Sequence, residues 1–395
     1  MPGATAWVPS SPTRAAPGPA ASTSSPAVRS TRRSWTVSTW WAGILGGGRQ
    51  HSYRVSAGGR RASHASIPAR TTPQSRPPST RPPTRWRVVA RRRPRLLDHA
   101  GTDDTAADLE AIRLALGEPR LNYVGFSYGT MIGLRYLERF GTHARAFVLD
   151  GVVDPTQDLV GLLTQQTTAI DALLHNVLAT CGPSCPLDDP EADFDRLAAS
   201  LEAAPIRTRG GTTVGPGDLA TAAITASYDP SAWTTLLDAV ADGLHGDGDG
   251  IAELAARYRD SGEYGPYAAV ICTDAPHPEG FDAYRRFAES LAAESPRLGA
   301  AIANELLPCA VWRAPVRSVA GPVRAPGARH VLVVGTTGDA ATPYANARRV
   351  ARTLRHATLL TFRGEGHTAY GRSRCVDRVV DGFLLDTTAR RTVCR

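Results

Sequence analysis

The chain has 395 residues, long enough for one large domain or two modest ones with a sizeable core. Its formal net charge of +8 is unevenly distributed: 17 Arg and no acid precede Asp98, and the remaining 28 Arg are outnumbered by 37 acids. The part after residue 97 therefore carries a net charge of −9, which gives no support to a basic nucleic-acid-binding face there. No apolar run reaches the roughly 18 residues of a membrane-spanning helix, so no membrane span is expected.

Residues 1–97 differ in composition and apolar pattern from the rest of the chain. They are rich in Arg, Pro, Ser, Thr and Ala, and their apolar residues follow neither a helix period nor a strand period. This composition is typical of a disordered segment, which is our prediction for it. From residue 98 onward we divide the chain into a first core part, residues 98–154, an insert, residues 155–310, and a second core part, residues 311–395.

The two core parts alternate between strand and helix signals. Strands are predicted at Leu121–Val124, Ala146–Asp150, His330–Val334 and Thr358–Phe362. Helices are predicted at Leu109–Leu116 (ended by Gly117), Met131–Leu137, Ala345–Leu354 and Val376–Leu385. This alternation predicts an α/β fold with a mostly parallel sheet and helices on both faces, and the signals of its first strands are missing.

The insert almost lacks strand signals. Helical stretches, broken by Gly- and Pro-rich turns, occur around residues 160–179, 191–203, 218–226, 231–243 and 283–293. We therefore predict a helical cap that is inserted between two strands of the core sheet.

A candidate nucleophile follows the first predicted strand. Gly125-Phe126-Ser127-Tyr128-Gly129 fits G-x-S-x-G, and a strand enters the motif while a helix leaves it. Such a sharp turn strains the serine backbone and exposes its hydroxyl at the carboxyl edge of the sheet, and Gly125 and Gly129 remove side chains that would clash. The context favours a nucleophile elbow over an ordinary turn, with the Tyr128 N–H as an oxyanion-hole donor.

A serine hydroxyl needs a base, and the base needs a carboxylate to orient it. Asp339 and His367 each follow a predicted strand, in the chain order serine, acid, histidine that this kind of site uses. Asp150 and Asp154 compete as the acid. His330 and His356 are poorer candidates for the base, because they stand at a strand start and a helix end.

Neither a metal nor a cofactor is expected. His245-Gly246-Asp247-Gly248-Asp249-Gly250 is similar to a calcium loop but lacks the acidic twelfth position, which favours a turn between helices. The six cysteines show no zinc spacing. Disulfides are favoured over buried thiols, because Cys181 and Cys185 flank a Gly-Pro turn and Cys394 lies at the terminus; six cysteines allow fifteen pairings. Disulfides imply an oxidising compartment, yet no apolar leader follows Met1.

The motifs together resemble a known family. Gly125–Thr130, Val148–Pro155, Gly338–Pro343 and Gly364–His367 are similar to the corresponding segments of secreted tripeptidyl aminopeptidase-like hydrolases of actinobacteria. These enzymes are α/β-hydrolases of the proline iminopeptidase (S33) group of serine peptidases. The resemblance covers about residues 96–395.

The resemblance implies an extracellular or cell-surface exopeptidase that releases short peptides from free N-termini. In it Ser127 would attack the peptide carbonyl, His367 would carry the proton and Asp339 would hold the imidazole, with no cofactor. The insert would form the substrate pocket. The resemblance also implies the disulfides Cys181–Cys185, Cys272–Cys309 and Cys375–Cys394.

The N-terminal segment departs from this family. Such hydrolases carry a loop similar to Asn-Pro-Gly-Gly-Pro-Gly-x-Ser-Gly that supplies the second oxyanion donor, and residues 1–97 lack it. Read one nucleotide earlier, synonymous codons for Thr13–Ala21 can give this loop, and Ser38–Gly46 can give the family's next strand in the same frame. We therefore expect that residues 1–97 are translated out of frame, with Met1 inside a longer gene; a genuine disordered extension is the alternative.

Three functions stay open at the level of sequence. The first is the exopeptidase, the second is an esterase or lipase of the same fold, and the third is a catalytically impaired product of a frameshifted gene. A carboxylate in the cap pocket that binds a substrate ammonium would favour the peptidase, and Asp274 is the candidate.

Overall fold

The computed structural model describes residues 5–7, 97–259, 264–317 and 321–395. The prediction that residues 1–97 are disordered or out of frame therefore falls almost entirely outside the described residues. Thr5–Trp7 is the exception, since it forms a short strand antiparallel to the strand at Leu121–Phe126. The backbone groups of these three residues pair with those of Asn122–Val124, and the prediction for residues 1–97 as a whole stays a prediction.

Among the residues that the structure describes, the core is a six-stranded sheet in the order β1-β2-β3-β6-β7-β8, and all neighbours except β1 and β2 are parallel. Its strands, together with the separate pair β4 and β5, are β1 Thr5–Trp7, β2 Leu121–Phe126, β3 Ala144–Asp150, β4 Ile206–Arg207, β5 Thr213–Val214, β6 Val331–Gly338, β7 Ala357–Glu365 and β8 Thr392–Cys394. The predicted mostly parallel sheet is confirmed. The strand β8 was not predicted, because three residues beside two arginines carry no readable period.

Helices cover both faces of this sheet, as predicted. The core helices are α1 Thr102–Ala115, α2 Gly129–Phe140, α11 Tyr344–Thr353 and α12 Arg374–Asp386. Alternate residues of β3 point to opposite faces: Phe147 and Leu149 pack in the cluster with α1, α2 and α11, whereas Val148 packs in the cluster with α12. This two-sided burial explains the continuous apolar character of the central strands.

A helical region lies between β3 and β6 in the chain, although these two strands pair directly in the sheet. Its helices are α3 Leu159–Ala179, α4 Pro190–Ala203, α5 Pro216–Ser227, α6 Trp233–Leu244, α7 Asp249–Arg259, α8 Tyr264–Asp274, α9 Gly280–Glu294 and α10 Gly299–Glu305. They share one large apolar cluster of their own. We refer to residues 155–310 as the cap. Sequence periodicity missed α7, α8, α10 and the β4–β5 pair.

The Gly- and Asp-rich segment that is similar to a calcium loop is a turn between helices, as expected. It joins α6 to α7, and Asp247 and Asp249 both form ion pairs with Arg209.

Three disulfides join the pairs that the family resemblance implied. Cys181–Cys185 and Cys272–Cys309 lie within the cap, and Cys375–Cys394 attaches the terminal strand β8 to α12. No free cysteine remains among the described residues. Within those residues, no helix is long and apolar enough to cross a bilayer.

Candidate active site

The turn that carries Ser127 has strained backbone geometry. β2 ends at Phe126 and α2 begins at Gly129, and Ser127 between them has φ +53°, in the left-handed region that non-glycine residues rarely adopt. Its N–H donates to the carbonyl of Asp150 at 2.9 Å, and its own carbonyl accepts from Thr130 Oγ1 at 2.6 Å. The surrounding hydrogen bonds therefore hold the strain at this one residue.

Gly125 is required for the tightness of this turn. A Cβ at position 125 would lie 2.6 Å from the carbonyl oxygen of Gly129 and 2.7 Å from the ring of Tyr123. The hydroxyl of Tyr123 donates to that same carbonyl at 2.6 Å, which fixes the first turn of α2 against β2. The predicted strand-turn-helix at Gly125–Gly129 is thus present, and Tyr128 is the first residue to follow the strained serine.

The candidate acid and the candidate base lie in contact. Asp339 and His367 follow β6 and β7, and Nδ1 of His367 lies 3.0 Å from each carboxylate oxygen of Asp339. Both side chains are buried. A carboxylate at this position fixes the tautomer of the ring by accepting from Nδ1–H, which leaves Nε2 as the acceptor nitrogen.

The carboxylate of Asp339 is held by more than the histidine. It accepts from the backbone N–H groups of Ala341, Thr342 and Thr368 and from the Thr342 hydroxyl at 2.9 Å. These donors orient the carboxylate toward His367 and stabilise its charge. Thr342 lies within the family motif, but no periodicity or spacing marked it as a functional residue.

The other ring nitrogen of His367 is available. Nε2 is buried and has no hydrogen-bond partner within the ranges that the structure describes, so a bond to Ser127 is not formed in this conformation. Catalytic hydrogen bonds of this kind are often long or absent without substrate and shorten in the reactive complex.

The end of β3 brings the serine and histidine turns together. Asp150 accepts the Ser127 N–H through its carbonyl, and Gly151 follows with φ +67°. A Cβ on Gly151 would lie 3.1 Å from Cε1 of His367 and 3.1 Å from the Thr342 hydroxyl. The Ser127 turn, Asp339 and the loop of His367 each follow the carboxyl end of a strand in the parallel part of the sheet.

The competing acids have other partners. The buried carboxylate of Asp150 accepts from the N–H groups of Ala369 and Tyr370, and burial raises its pKa to about 6. Asp154 pairs with Arg349 at 3.0 Å. Asp150 and Asp154 thus hold loops and helices around the site, whereas Asp339 is the acid in contact with the imidazole.

The competing histidines lie at the opposite edge of the sheet from Asp339. His330 and His356 precede the first residues of β6 and β7, at the amino edge of the sheet, whereas Asp339 follows the carboxyl end of β6. The structure therefore does not bring either of them to the Ser127 turn.

Asp274 lies beside the nucleophile turn. Its buried carboxylate, at the end of α8, accepts from the Tyr128 hydroxyl at 2.5 Å and from both the N–H and the hydroxyl of Thr102. Burial raises its pKa to about 6 although these donors oppose the shift. Asp274 therefore joins the cap to α1 and to the residue after Ser127. The sequence did not indicate that Thr102 contributes to the site, because Thr102 lies 172 positions before Asp274 in the chain.

A cleft opens between the cap and the core next to this carboxylate. Three acids and no basic side chain stand among its lining residues, which are Tyr128, Met131, Val153, Asp154, Gln157, Asp158, Leu159, Leu162, Ile271, Asp274 and Ala275. The apolar part of the wall suits substrate side chains, and Asp158 and Asp274 add acidic groups to it, whereas Asp154 is paired with Arg349.

Buried acids make the stability of the fold dependent on pH. Glu305, at the end of α10, accepts from the Tyr258 hydroxyl, and burial raises its pKa to about 7. A folded pKa above the unfolded value, about 4.3, means that the folded state favours the protonated acid. The corresponding stability is full below pH 4 and is lost as pH rises through 7.

We expect Glu305→Gln to flatten this dependence, because the amide keeps an acceptor for Tyr258 and carries no charge. Relative to wild type, the variant should gain on the order of 3 kcal/mol in unfolding free energy between pH 4.5 and 7.5. Urea unfolding at both pH values measures the gain, and Glu253→Gln, a change at an exposed side chain, is the control. Equal pH slopes for wild type and Glu305→Gln would contradict the assignment.

Comparisons with known proteins agree with this architecture. Residues 72–172 match the family model described as alpha/beta hydrolase fold, and residues 295–394 match the model described as TAP-like protein. The expected α/β-hydrolase fold and the resemblance to tripeptidyl aminopeptidase-like hydrolases are confirmed.

Three curated relatives have similar identity to the chain. Serine protease Hip1 of Mycobacterium tuberculosis is 34% identical over 321 residues, covering 74% of this chain and 61% of that protein. Tripeptidyl aminopeptidase of Streptomyces lividans is 33% identical over 316 residues, covering 76% of this chain and 59% of that protein. Carboxylesterase B of Mycobacterium tuberculosis is 35% identical over 319 residues, covering 76% of this chain and 61% of that protein. The chain spans about three fifths of the length of these relatives.

Proposed function

Because the chain belongs to the α/β-hydrolase family and has a TAP-like C-terminal region, we propose that it is a serine hydrolase with Ser127, His367 and Asp339 as its catalytic triad. The observation that carries the proposal is the buried His367, whose Nδ1 lies 3.0 Å from both oxygens of Asp339 while Nε2 has no hydrogen-bond partner among the described residues. This arrangement suits proton transfer from a serine hydroxyl and needs no cofactor.

The reaction would proceed in two halves. Ser127 Oγ attacks the substrate carbonyl while Nε2 of His367 takes the hydroxyl proton, and Asp339 stabilises the imidazolium that forms. The oxyanion of the tetrahedral intermediate is stabilised by the N–H of Tyr128. His367 then donates the proton to the leaving amine, and water releases the acyl group from Ser127 by the same steps.

The value of kcat depends on a second hydrogen-bond donor to the oxyanion. The family resemblance places it in a Gly-rich loop that residues 1–97 lack, and these residues lie outside those described except for Thr5–Trp7. Loss of one such donor lowers kcat by about 100-fold to 1,000-fold. We expect the polypeptide as written to be slower by this factor than one whose N-terminal segment is read in the shifted frame.

We further propose that the substrate is a peptide with a free N-terminus. The support is the acidic cleft beside Tyr128, with Asp274 in its wall, since buried or partly buried carboxylates attract an ammonium group. Tripeptidyl aminopeptidase is one relative at 33% identity. Three disulfides fit an oxidising, extracellular compartment.

The competing function is ester hydrolysis, which the relative named carboxylesterase B favours at 35% identity. The triad chemistry is the same for both, so substrate binding decides between them. A third outcome, a catalytically impaired chain, follows if the missing oxyanion donor is essential.

A panel of three substrates tests the proposal: a tripeptide aminocoumarin with a free amine, its N-acetylated form, and a nitrophenyl ester. We expect a preference for the free amine, and Asp274→Asn should raise KM for that substrate alone by about 10-fold. A faster rate on the ester, with no effect of the free amine or of Asp274→Asn on any substrate, would identify an esterase. Equal rates for wild type and Ser127→Ala would indicate an impaired chain.

A further inference from the structure

A turn of the cap lies directly against the candidate catalytic histidine. The cap turn, Tyr228–Pro230, follows α5, and the carbonyl of Tyr228 accepts from the backbone N–H of His367 at 3.0 Å. The ring of Tyr228 packs against the imidazole in a T-shaped arrangement, with centroids 5.3 Å apart and an interplanar angle of 84°. One cap residue therefore contacts both the backbone and the ring of His367.

Arg372 joins the same two segments from the core side. Its Nη1 donates to the carbonyl of His367 at 3.1 Å and to the carbonyl of Tyr228 at 3.4 Å. Its Nη2 donates to Oδ1 of Asp229 at 3.1 Å. The planar, multiply donating guanidinium suits three acceptors at once, which a lysine ammonium on a flexible stem would hold less well.

The backbone between them is adapted to this close approach. Gly366 has φ +93°, and a Cβ there would lie 2.7 Å from Cδ of Pro230 and 2.9 Å from Nη1 of Arg372. A side chain at position 366 would thus push the cap turn and the guanidinium away from the histidine loop. The cap turn, Gly366 and Arg372 thus pack against one another around His367.

We propose that the cap turn and Arg372 position His367 for proton transfer, an inference that rests on the role of His367 in the proposed function. The contact with Asp339 fixes the imidazole at Nδ1 only, so the ring can still pivot about that atom. The Tyr228 ring packs against the imidazole and blocks this pivot. Two hydrogen bonds fix the backbone of His367, whose N–H donates to the carbonyl of Tyr228 and whose carbonyl accepts from Arg372. The cap therefore holds the catalytic base as well as the substrate cleft.

Kinetics of Arg372 variants provide the first test. Arg372→Ala should lower kcat about 10-fold or more, even on a small nitrophenyl ester that does not fill the cap, with KM little changed. Arg372→Lys should restore part of the rate. Arg297→Ala is the matched control, because Arg297 also joins cap segments through ion pairs, with Glu191 and Asp195, but makes no contact with His367.

The Tyr228 ring is tested in the same way. Tyr228→Phe keeps the ring against the imidazole and should leave kcat within about threefold of wild type, whereas Tyr228→Leu should lower kcat about 10-fold. A loss in Tyr228→Phe equal to that in Tyr228→Leu would overturn the part of the proposal that assigns the pivot block to the ring.

Nitrogen NMR of labelled histidine supplies a readout that does not depend on turnover. The imidazole signals of His367 are identified by their loss in His367→Asn and followed in the Ser127→Ala background. Arg372→Ala should shift them, whereas Arg297→Ala should not. If Arg372→Ala fails to fold by near-UV circular dichroism, Arg372→Lys takes its place in both measurements.

The two proposals fail in different ways. Unchanged kcat and unchanged imidazole signals in folded Arg372 and Tyr228→Leu variants would overturn the positioning role while leaving the triad intact. A wild-type rate equal to that of Ser127→Ala would instead overturn the proposed function, and the NMR measurement would still decide whether the cap turn positions His367.

Discussion

Replacement of Ser127 by alanine is expected to reduce the rate of hydrolysis of every substrate nearly to the uncatalysed rate. Only the small acceleration that comes from substrate binding should remain. Removal of a serine nucleophile costs on the order of a million-fold in kcat, because the hydroxyl is the atom that forms the acyl-enzyme. The strained turn at φ +53° and the surrounding hydrogen bonds to Asp150 and Thr130 do not involve Oγ, so the variant should fold normally.

Initial rates with the nitrophenyl ester and the aminocoumarin peptide measure this effect. Ser227→Ala is a matched control, since Ser227 is equally buried and its hydroxyl donates only to a carbonyl of its own helix, that of Ile224. We expect Ser227→Ala to retain the wild-type rate. A Ser127→Ala variant that keeps a substantial fraction of the wild-type rate would contradict the assignment of the nucleophile.

Asp339→Asn is expected to lower kcat by about 10,000-fold with little effect on folding. The carboxylate accepts from Nδ1–H of His367 and so leaves Nε2 unprotonated and able to take the serine proton. An amide can instead present an N–H to Nδ1, which stabilises the opposite tautomer and removes the general base. The backbone donors of Ala341 and Thr342 still meet an amide oxygen, which preserves the loop.

Asp150→Asn is the matched control for this prediction. Asp150 is as buried as Asp339 and ends the neighbouring strand, but its carboxylate contacts the backbone of Ala369 and Tyr370 rather than the imidazole. We expect a loss of at most about 10-fold, through small displacement of the loop after His367. A larger loss in Asp150→Asn than in Asp339→Asn, in single-turnover measurements on folded protein, would make Asp150 the catalytic acid.

The sequence predicted the parts of the site that are encoded locally. A strand, a glycine-flanked serine and a helix are contiguous in the chain, so Gly125–Gly129 could be identified without tertiary information. The order of Ser127, Asp339 and His367 along the chain, each after a strand, predicted that the carboxyl edge of a parallel sheet would bring them together. Parallel pairing of β2 with β3, of β3 with β6 and of β6 with β7 places the residues that follow β2, β6 and β7 at one edge of the sheet.

Contacts between distant segments could not be predicted. Asp274 receives hydrogen bonds from Thr102, and Arg372 joins the cap turn to His367, but side-chain periodicity carries no information about such pairs. Helices α7, α8 and α10 were missed for a different reason: they are short, and Gly- and Pro-rich segments separate them from their neighbours. Their stability comes from packing in the cap rather than from a strong local pattern.

The expectation that residues 1–97 are read out of frame remains a prediction. Thr5–Trp7 pairs with β2, but three residues do not replace a Gly-rich oxyanion loop. Resequencing of the DNA under codons 1–100 decides the question, since a single-base insertion or deletion near codons 85–97 would restore the family's loop and its preceding strand.

Covalent labelling with a fluorophosphonate tests the central claim most directly, because the reagent reacts with a serine only where a neighbouring base activates it. Intact-mass analysis and peptide mapping of the treated chain should show one adduct on Ser127. The adduct should be absent in Ser127→Ala and form far more slowly in Asp339→Asn. An unlabelled Ser127 in folded protein, or an adduct on another residue, would contradict the assignment of Ser127, Asp339 and His367 as a catalytic triad.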